Sequence, residues 1–313
     1  MNLLITGAWP DAKIHIPELE ALGHSVAFLQ QERDELPCDP NWVEGVVCNG
    51  LFLYHPIESF PNLRFVQLTS AGYDRVNMDY VRAHHIEIHN AKGVYSIPMA
   101  EFAVAGVLQL YKQSRFFYEN QKSHRWEKHR GLLELYGRTV TIVGCGSVGT
   151  ECAKRFKAFG CHVIGVNRTV RENQSFETII PLDKLDEVLP ETDILVLTVA
   201  LTPETMQLMD RRRLGLLPEN AVVVNISRGK VLDETALRDL LEADKLYGAV
   251  LDVFENEPLP ESDPLWDAPN VIVTPHNSFV GERNGERLSA VVVSAVSCAF
   301  EAGTRQDDDQ TVI

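Results

Sequence analysis

Short apolar runs separated by turn residues recur along the whole chain, and most are rich in Val, Ile and Leu. Near the N-terminus Leu3–Thr6, Ser25–Leu29, Val46–Cys48, Arg64–Leu68 and Glu87–His89 read as strands, punctuated by Gly23, Gly45, Pro61 and Gly72. A longer stretch follows in which Met99, Phe102, Ala103, Gly106, Val107, Leu110 and Tyr111 repeat at helical spacing. It predicts one helix from Pro98 to about Tyr118, with Ser96 as its N-cap. Beyond a Lys-, His- and Arg-rich segment at 122–130 a second series begins. Its strands are Arg138–Val143, His162–Val166, Asp193–Val199, Val222–Asn225, Ala249–Asp252 and Val271–Val273, with a helix predicted at Val148–Phe159. These runs are apolar on both faces, as strands of a covered parallel sheet must be. A last helix is expected near Glu286–Phe300, packed back onto the first series. The pattern is that of an α/β protein with two open, mostly parallel sheets.

The chain of 313 residues is long enough for two domains of ordinary size. No apolar run reaches the roughly 18–20 residues that span a bilayer, and the N-terminus reads as a first strand and not as a signal peptide. A net charge of -15 and a pI near 5.1 leave no basic footprint for nucleic acid. The basic triplet Arg211-Arg212-Arg213 reads as a solvated helix end. Six cysteines show neither C-x-x-C pairing nor metal-ligand spacing, which fits a reduced, cytoplasmic protein with no metal site.

Gly144-Cys145-Gly146-Ser147-Val148-Gly149 has G-x-G-x-x-G spacing directly after a strand and at the start of a helix. Gly144 permits a tight turn, Gly146 lets backbone approach a pyrophosphate, and Gly149 lets helix and strand pack closely. The N–H groups of Ser147, Val148 and Gly149 then face the phosphates. At the end of the next strand, where an acid would bind the ribose hydroxyls of NAD, stand Asn167, Arg168 and Thr169. Arg168, with Arg171 as a second partner, suits a 2′-phosphate, so NADP(H) is the expected cofactor and NAD(H) the lesser one.

Three charged residues stand at the tails of separate strand-like runs: Arg228, Glu257 and His276. Carboxyl ends of neighbouring parallel strands open onto one crevice. A cation for an anion, an imidazole for a proton and a carboxylate for that imidazole could therefore converge.

With these residues in view the chain resembles the D-isomer-specific 2-hydroxyacid dehydrogenases over nearly its whole length. The likeness rests on the glycine turn, Leu201-Thr202-Pro203-Glu204-Thr205, Asn225-Ile226-Ser227-Arg228-Gly229, Leu251-Asp252-Val253-Phe254-Glu255-Asn256-Glu257-Pro258 and Thr274-Pro275-His276. Leu68-Thr69-Ser70-Ala71-Gly72-Tyr73-Asp74 is similar to the family's substrate loop. The resemblance implies a Rossmann coenzyme domain at 99–276 inserted into a flavodoxin-like substrate domain made of 1–98 and 277–313, with the active site in the cleft between them. It implies that Arg228 binds the carboxylate of a 2-keto acid and polarises its carbonyl, that Ser70, Ala71 and Gly72 hold the carboxylate's other side, and that His276 is the general acid/base, oriented and charged by Glu257. Asp252 would meet the nicotinamide carboxamide, and Ala200, Thr205 and Ile226 would lie along the cofactor. The product would be a D-2-hydroxy acid, and the family is typically a homodimer. Ala200, Tyr73, Asn167 and Asn277-Ser278 depart from the family's usual residues. Phe52, Tyr54, Tyr73 and Tyr95 are candidates for the substrate's side-chain end or for the core. Glyoxylate or hydroxypyruvate competes with bulkier keto acids as substrate. The alternative from another class is a redox-silent, NAD(P)-sensing binding protein of the same fold.

Overall fold

A computed structural model describes the backbone of residues 1–308 and the side chains of residues 1–299. The chain divides into two compact units, one made of Met1–Tyr95 with the segment from Gly281 onward, the other of Ser96–Val280.

The first unit has five parallel strands, β1 (Asn2–Thr6), β2 (Ser25–Leu29), β3 (Gly45–Cys48), β4 (Phe65–Leu68) and β5 (Glu87–His89), in the order β2-β1-β3-β4-β5. This is the flavodoxin-like doubly wound order. Alternate residues of β1 serve opposite faces: Leu4 packs with Val46, Val66 and Leu68, whereas Leu3 and Ile5 pack with Val47 and Phe65. Helices α1 (Ala12–Ala21) and α2 (Met78–Ala83) belong to this unit. The C-terminal helix, numbered α9 (Asn284–Asp308), closes the second face with Leu288, Val292 and Val296. Two hydrogen bonds fasten it, Trp9 Nε1 to Ser289 Oγ at 3.0 Å and Arg287 Nε to the Val94 carbonyl at 2.8 Å.

The second unit opens with α3 (Ser96–Tyr111) and α4 (Ser114–Lys122). One continuous helix was expected here, and no Gly or Pro marks the break. Gln113 takes a left-handed backbone, φ 51°, and its side-chain amide donates to the Tyr247 hydroxyl at 2.8 Å. The strands are β6 (Thr139–Val143), β7 (His162–Asn167), β8 (Thr178–Pro181), β9 (Ile194–Leu197), β10 (Val222–Asn225), β11 (Gly248–Leu251) and β12 (Val271–Val273), all parallel in the order β8-β7-β6-β9-β10-β11-β12. The order in which strands are added reverses between β6 and β9, the topological switch point of a Rossmann sheet. Helices α5 (Ser147–Ala158), α6 (Leu185–Val188), α7 (Arg211–Leu214) and α8 (Glu234–Glu242) complete the unit. Strand β8 was not foreseen: it is short, lies at the sheet edge and ends in Pro181, which has no donor. Both faces are apolar, one built around Leu195, Val223 and Leu251, the other around Ile194, Val224 and Val250. Among the described residues no helix is long and apolar enough to cross a membrane.

Candidate active site

The glycine turn joins β6 to α5 beside the switch point. Gly144 has φ 104°, and a Cβ there would lie 2.9 Å from Thr198 backbone and side-chain atoms. A Cβ on Gly149 would lie 1.9 Å from the Gly144 carbonyl oxygen, so helix and turn touch directly. Gly146 differs: nothing lies within 4 Å of its missing Cβ. It is the N-cap of α5 and offers no side-chain cap, so the first N–H groups of a helix of 12 residues are left for a ligand. Open space at Gly146 over uncapped N–H groups fits a dinucleotide's pyrophosphate. The Cys145 thiol turns inward against Gly165, and burial pushes it up to about 12, so it is a packed thiol and not a reactive one. Thr198, which sequence reasoning passed over, steadies the turn by donating to the Gly144 carbonyl at 2.7 Å.

At the end of β7, Asn167 works on backbone. It accepts from the Cys145 N–H at 3.4 Å and donates to the Thr169 carbonyl at 2.8 Å, linking the strand end to the glycine turn. Arg168, Thr169 and Arg171 are exposed. The Glu204 carboxyl is held below the usual carboxylate range, first by the Thr202 hydroxyl, then by its own N–H, with a smaller pull from the Arg168 charge. Arg168 thus stands within electrostatic reach of the 200–205 loop. Thr205 Oγ1 closes that loop on itself, donating to the Ala200 carbonyl at 2.7 Å and accepting the Thr202 N–H at 2.7 Å. The Ile226 side chain is buried in the core.

Strands β10, β11 and β12 are consecutive neighbours, paired up to Asn225, Leu251 and Val273, so the loops after them emerge side by side. Arg228 leaves the first of these loops and donates from Nη1 to the Ser227 carbonyl at 2.7 Å. Asn225 shapes that loop, accepting from the Ser227 hydroxyl at 2.7 Å and donating to the Arg228 carbonyl at 3.1 Å. Glu257 leaves the second and His276 the third. Glu257 Oε2 lies 2.8 Å from His276 Nδ1, while its Oε1 accepts the Phe254 N–H at 3.1 Å. Both side chains of the pair are about two-fifths exposed, 38% and 41%, so the ring is reachable from solvent. The geometry assigns Nδ1 to the carboxylate and leaves Nε2 as the outward nitrogen.

His276 sits at φ 50°, an uncommon conformation for a residue with a side chain. The turn around it is wrapped on Asp252, which is fully buried (0% exposed). Asp252 Oδ1 accepts from Thr274 Oγ1 at 2.6 Å and from the Asn277 N–H at 2.7 Å, and Oδ2 accepts the Ser278 N–H at 2.9 Å. The resemblance expects Asp252 at the cofactor; here both of its oxygens are taken up by the turn that carries His276.

In the first unit the carbonyls of the 69–72 loop are all engaged. Its carbonyls turn inward: Thr69 accepts from the Tyr95 hydroxyl at 2.5 Å, Ser70 from the Ala91 N–H at 2.9 Å, Ala71 from Asn90 Nδ2 at 2.7 Å and Gly72 from Ser70 Oγ at 3.0 Å. Tyr95 is thereby a support of this loop. Phe52 packs edge-on against Phe60 at 6.2 Å, whereas Tyr54 and Tyr73 are exposed.

The family model for the D-isomer specific 2-hydroxyacid dehydrogenase, NAD binding domain, matches residues 104–278. A glyoxylate reductase of Korarchaeum cryptofilum is 33% identical over 251 residues, which are 79% of this chain and 75% of that protein. A D-3-phosphoglycerate dehydrogenase of Methanocaldococcus jannaschii is 31% identical over 77% of this chain and 46% of its own length. Among solved structures, an NADPH-dependent glyoxylate/hydroxypyruvate reductase of Sinorhizobium meliloti, in complex with NADP and malonate, superposes with a TM-score of 0.80. It is 28% identical and covers 96% of this chain and 93% of that one.

Proposed function

As the chain belongs to the D-isomer-specific 2-hydroxyacid dehydrogenases, NAD(P)-dependent oxidoreductases of small keto and hydroxy acids, we propose that it reduces a 2-keto acid to the D-2-hydroxy acid, with NADPH as the preferred reductant. The observation that carries the reading is the 2.8 Å Glu257–His276 pair on a strained turn, beside the loop of Arg228. The Arg228 guanidinium pairs with the substrate carboxylate and polarises the neighbouring carbonyl. Glu257 orients the ring, whose Nε2 donates a proton to the carbonyl oxygen. The nicotinamide, when bound, supplies the hydride to C2. Gly144, Gly146 and the N–H groups of Ser147, Val148 and Gly149 hold the pyrophosphate.

The NADPH preference rests on Asn167-Arg168-Thr169, which offers an exposed guanidinium and no carboxylate to a 2′-phosphate. The NADPH dependence of the Sinorhizobium enzyme supports it. Glyoxylate and hydroxypyruvate are the first substrates to test, given the names of both reductases. The reading carries a homodimer, supported by the exposed rings of Tyr118 (62%) and Trp126 (96%) in the second unit, and a reducing, cytoplasmic setting.

The test is initial-rate oxidation of NADPH, with NADH in parallel, against glyoxylate, hydroxypyruvate, pyruvate and phenylpyruvate. Turnover is expected with NADPH above NADH, and His276→Ala should lower it by about 100-fold or more, as for loss of a positioned general acid. Binding of NADPH without oxidation across the panel would sink the proposal and leave a nucleotide sensor.

A further inference from the structure

Glu234 has no part in the chemistry above, yet it is built into the same loops. It is the first residue of α8, behind the N-cap Asp233, whose Oδ1 accepts the Ala236 N–H at 2.8 Å. Its own Oε1 accepts the Glu255 N–H at 2.7 Å, across 21 residues of sequence. That N–H belongs to the Phe254–Glu255 peptide. The same peptide lies against Gly229, where a Cβ would be 1.8 Å from the Phe254 carbonyl carbon and 2.2 Å from the Glu255 nitrogen. One residue back, the Phe254 N–H donates to Glu257 Oε1 at 3.1 Å, and Glu257 Oε2 holds His276. A continuous line of contacts therefore runs from Glu234 through two consecutive peptides, joined at Phe254, to the Glu257–His276 pair, with the Arg228 loop resting on its flank.

We propose that Glu234 is a positioning residue for the reduction, fixing the Phe254–Glu255 peptide so that Glu257 stays in register with His276. The inference rests on the function proposed above. The groups facing Glu234 are acidic: Glu255 and Glu257 on the neighbouring loop and Asp263 beyond it. Burial first, and then these charges, push its carboxyl up to about 7, against the opposing pull of the Glu255 N–H. A proton on Oε2 leaves Oε1 able to accept, so the anchor serves in either state. An amide should therefore replace the acid, and a methyl group should not.

The experiment compares Glu234→Ala and Glu234→Gln, each checked for folding by its melting curve. Two readouts are taken: the NMR titration of the His276 ring, assigned with His276→Asn, and the pH profile of kcat and KM for glyoxylate reduction by NADPH. In Glu234→Ala, kcat should fall about 10-fold as Glu257 loses its register, with NADPH affinity held within about twofold. The pH profile and the ring's titration should both depart from the wild type. Glu234→Gln should keep wild-type values. Wild-type kcat and ring titration in Glu234→Ala would overturn the proposal, as would equal losses in both variants. If Glu234→Ala does not fold, Glu234→Asp, which cannot reach Glu255 as well, takes its place under the same criteria. The ring titration needs no turnover, so it separates the two readings. A wild-type protein that reduces no keto acid defeats the proposed function, and the ring still decides whether Glu234 positions Glu257.

Discussion

Asp252 engages both of its oxygens in the turn after β12: a hydroxyl and two backbone N–H groups converge on them. Asp252→Asn would set an amide –NH2 against one of those donors. The unmet bond should cost about 1–3 kcal/mol of stability. Because the turn holds His276 at positive φ, turnover should fall further than stability alone explains. Thermal unfolding and initial rates on the same sample check this, and a variant with normal rate would show that the turn does not need its clamp. Glu234 gives a pH signature at the same scale. Its folded carboxyl titrates near 7, against an ordinary value of 4.5. A raised acid binds its proton more tightly when folded, so stability declines as pH rises from about 4.5 through about 7. Relative to the wild type, Glu234→Gln should therefore gain stability across that window and not below it, as melting temperatures measured over the range will show. The Glu257–His276 pair was legible because each is an ionisable group at the tail of an apolar run, and the two meet at 2.8 Å. Their supports were not. Thr274 lies 22 positions from Asp252, and Glu234 lies 21 from Glu255. Nothing local in the sequence marks such partners.

Elements were legible where one physical signal dominated. The β-branched runs of β6, β7, β10 and β12 declare themselves, as does the strand–turn–helix context of the glycines. The break between α3 and α4 was missed because a distant hydroxyl on Tyr247 makes it, and β8 because a short edge strand has only one neighbour to satisfy. The turn before α5 allows a paired test. A Cβ at Gly149 collides with the Gly144 carbonyl, whereas one at Gly146 meets open space. Gly149→Ala should lower both melting temperature and cofactor affinity. Gly146→Ala should leave the melting temperature unchanged while weakening NADPH by about 10-fold, or about 1.4 kcal/mol. Calorimetric titration and a melting curve on each variant decide it: intact affinity in Gly146→Ala means that no phosphate passes there.

For the whole molecule, the alternation of strands and helices pointed to two open sheets, but strand order was out of reach. Order depends on which way each crossover passes over its sheet, a choice made by packing on two faces at once. The first unit is unusual in drawing on both ends of the sequence: α9 supplies Leu288, Val292 and Val296 to the face that carries Leu3, Ile5 and Phe65. Ending the chain before Gly281 should leave that face bare, so the shortened protein should aggregate or bind a hydrophobic dye, and the full chain should do neither. A dye-negative, monodisperse truncation would refute this. The same arrangement has a consequence in time. Synthesis runs from the N-terminus, so the residues of β1 emerge well before the helix that covers them. The second unit can finish folding while the first still waits, its strands exposed to the cell until α9 leaves the ribosome. A chaperone that holds β1 through that interval would act on strands made before the second unit and covered after it.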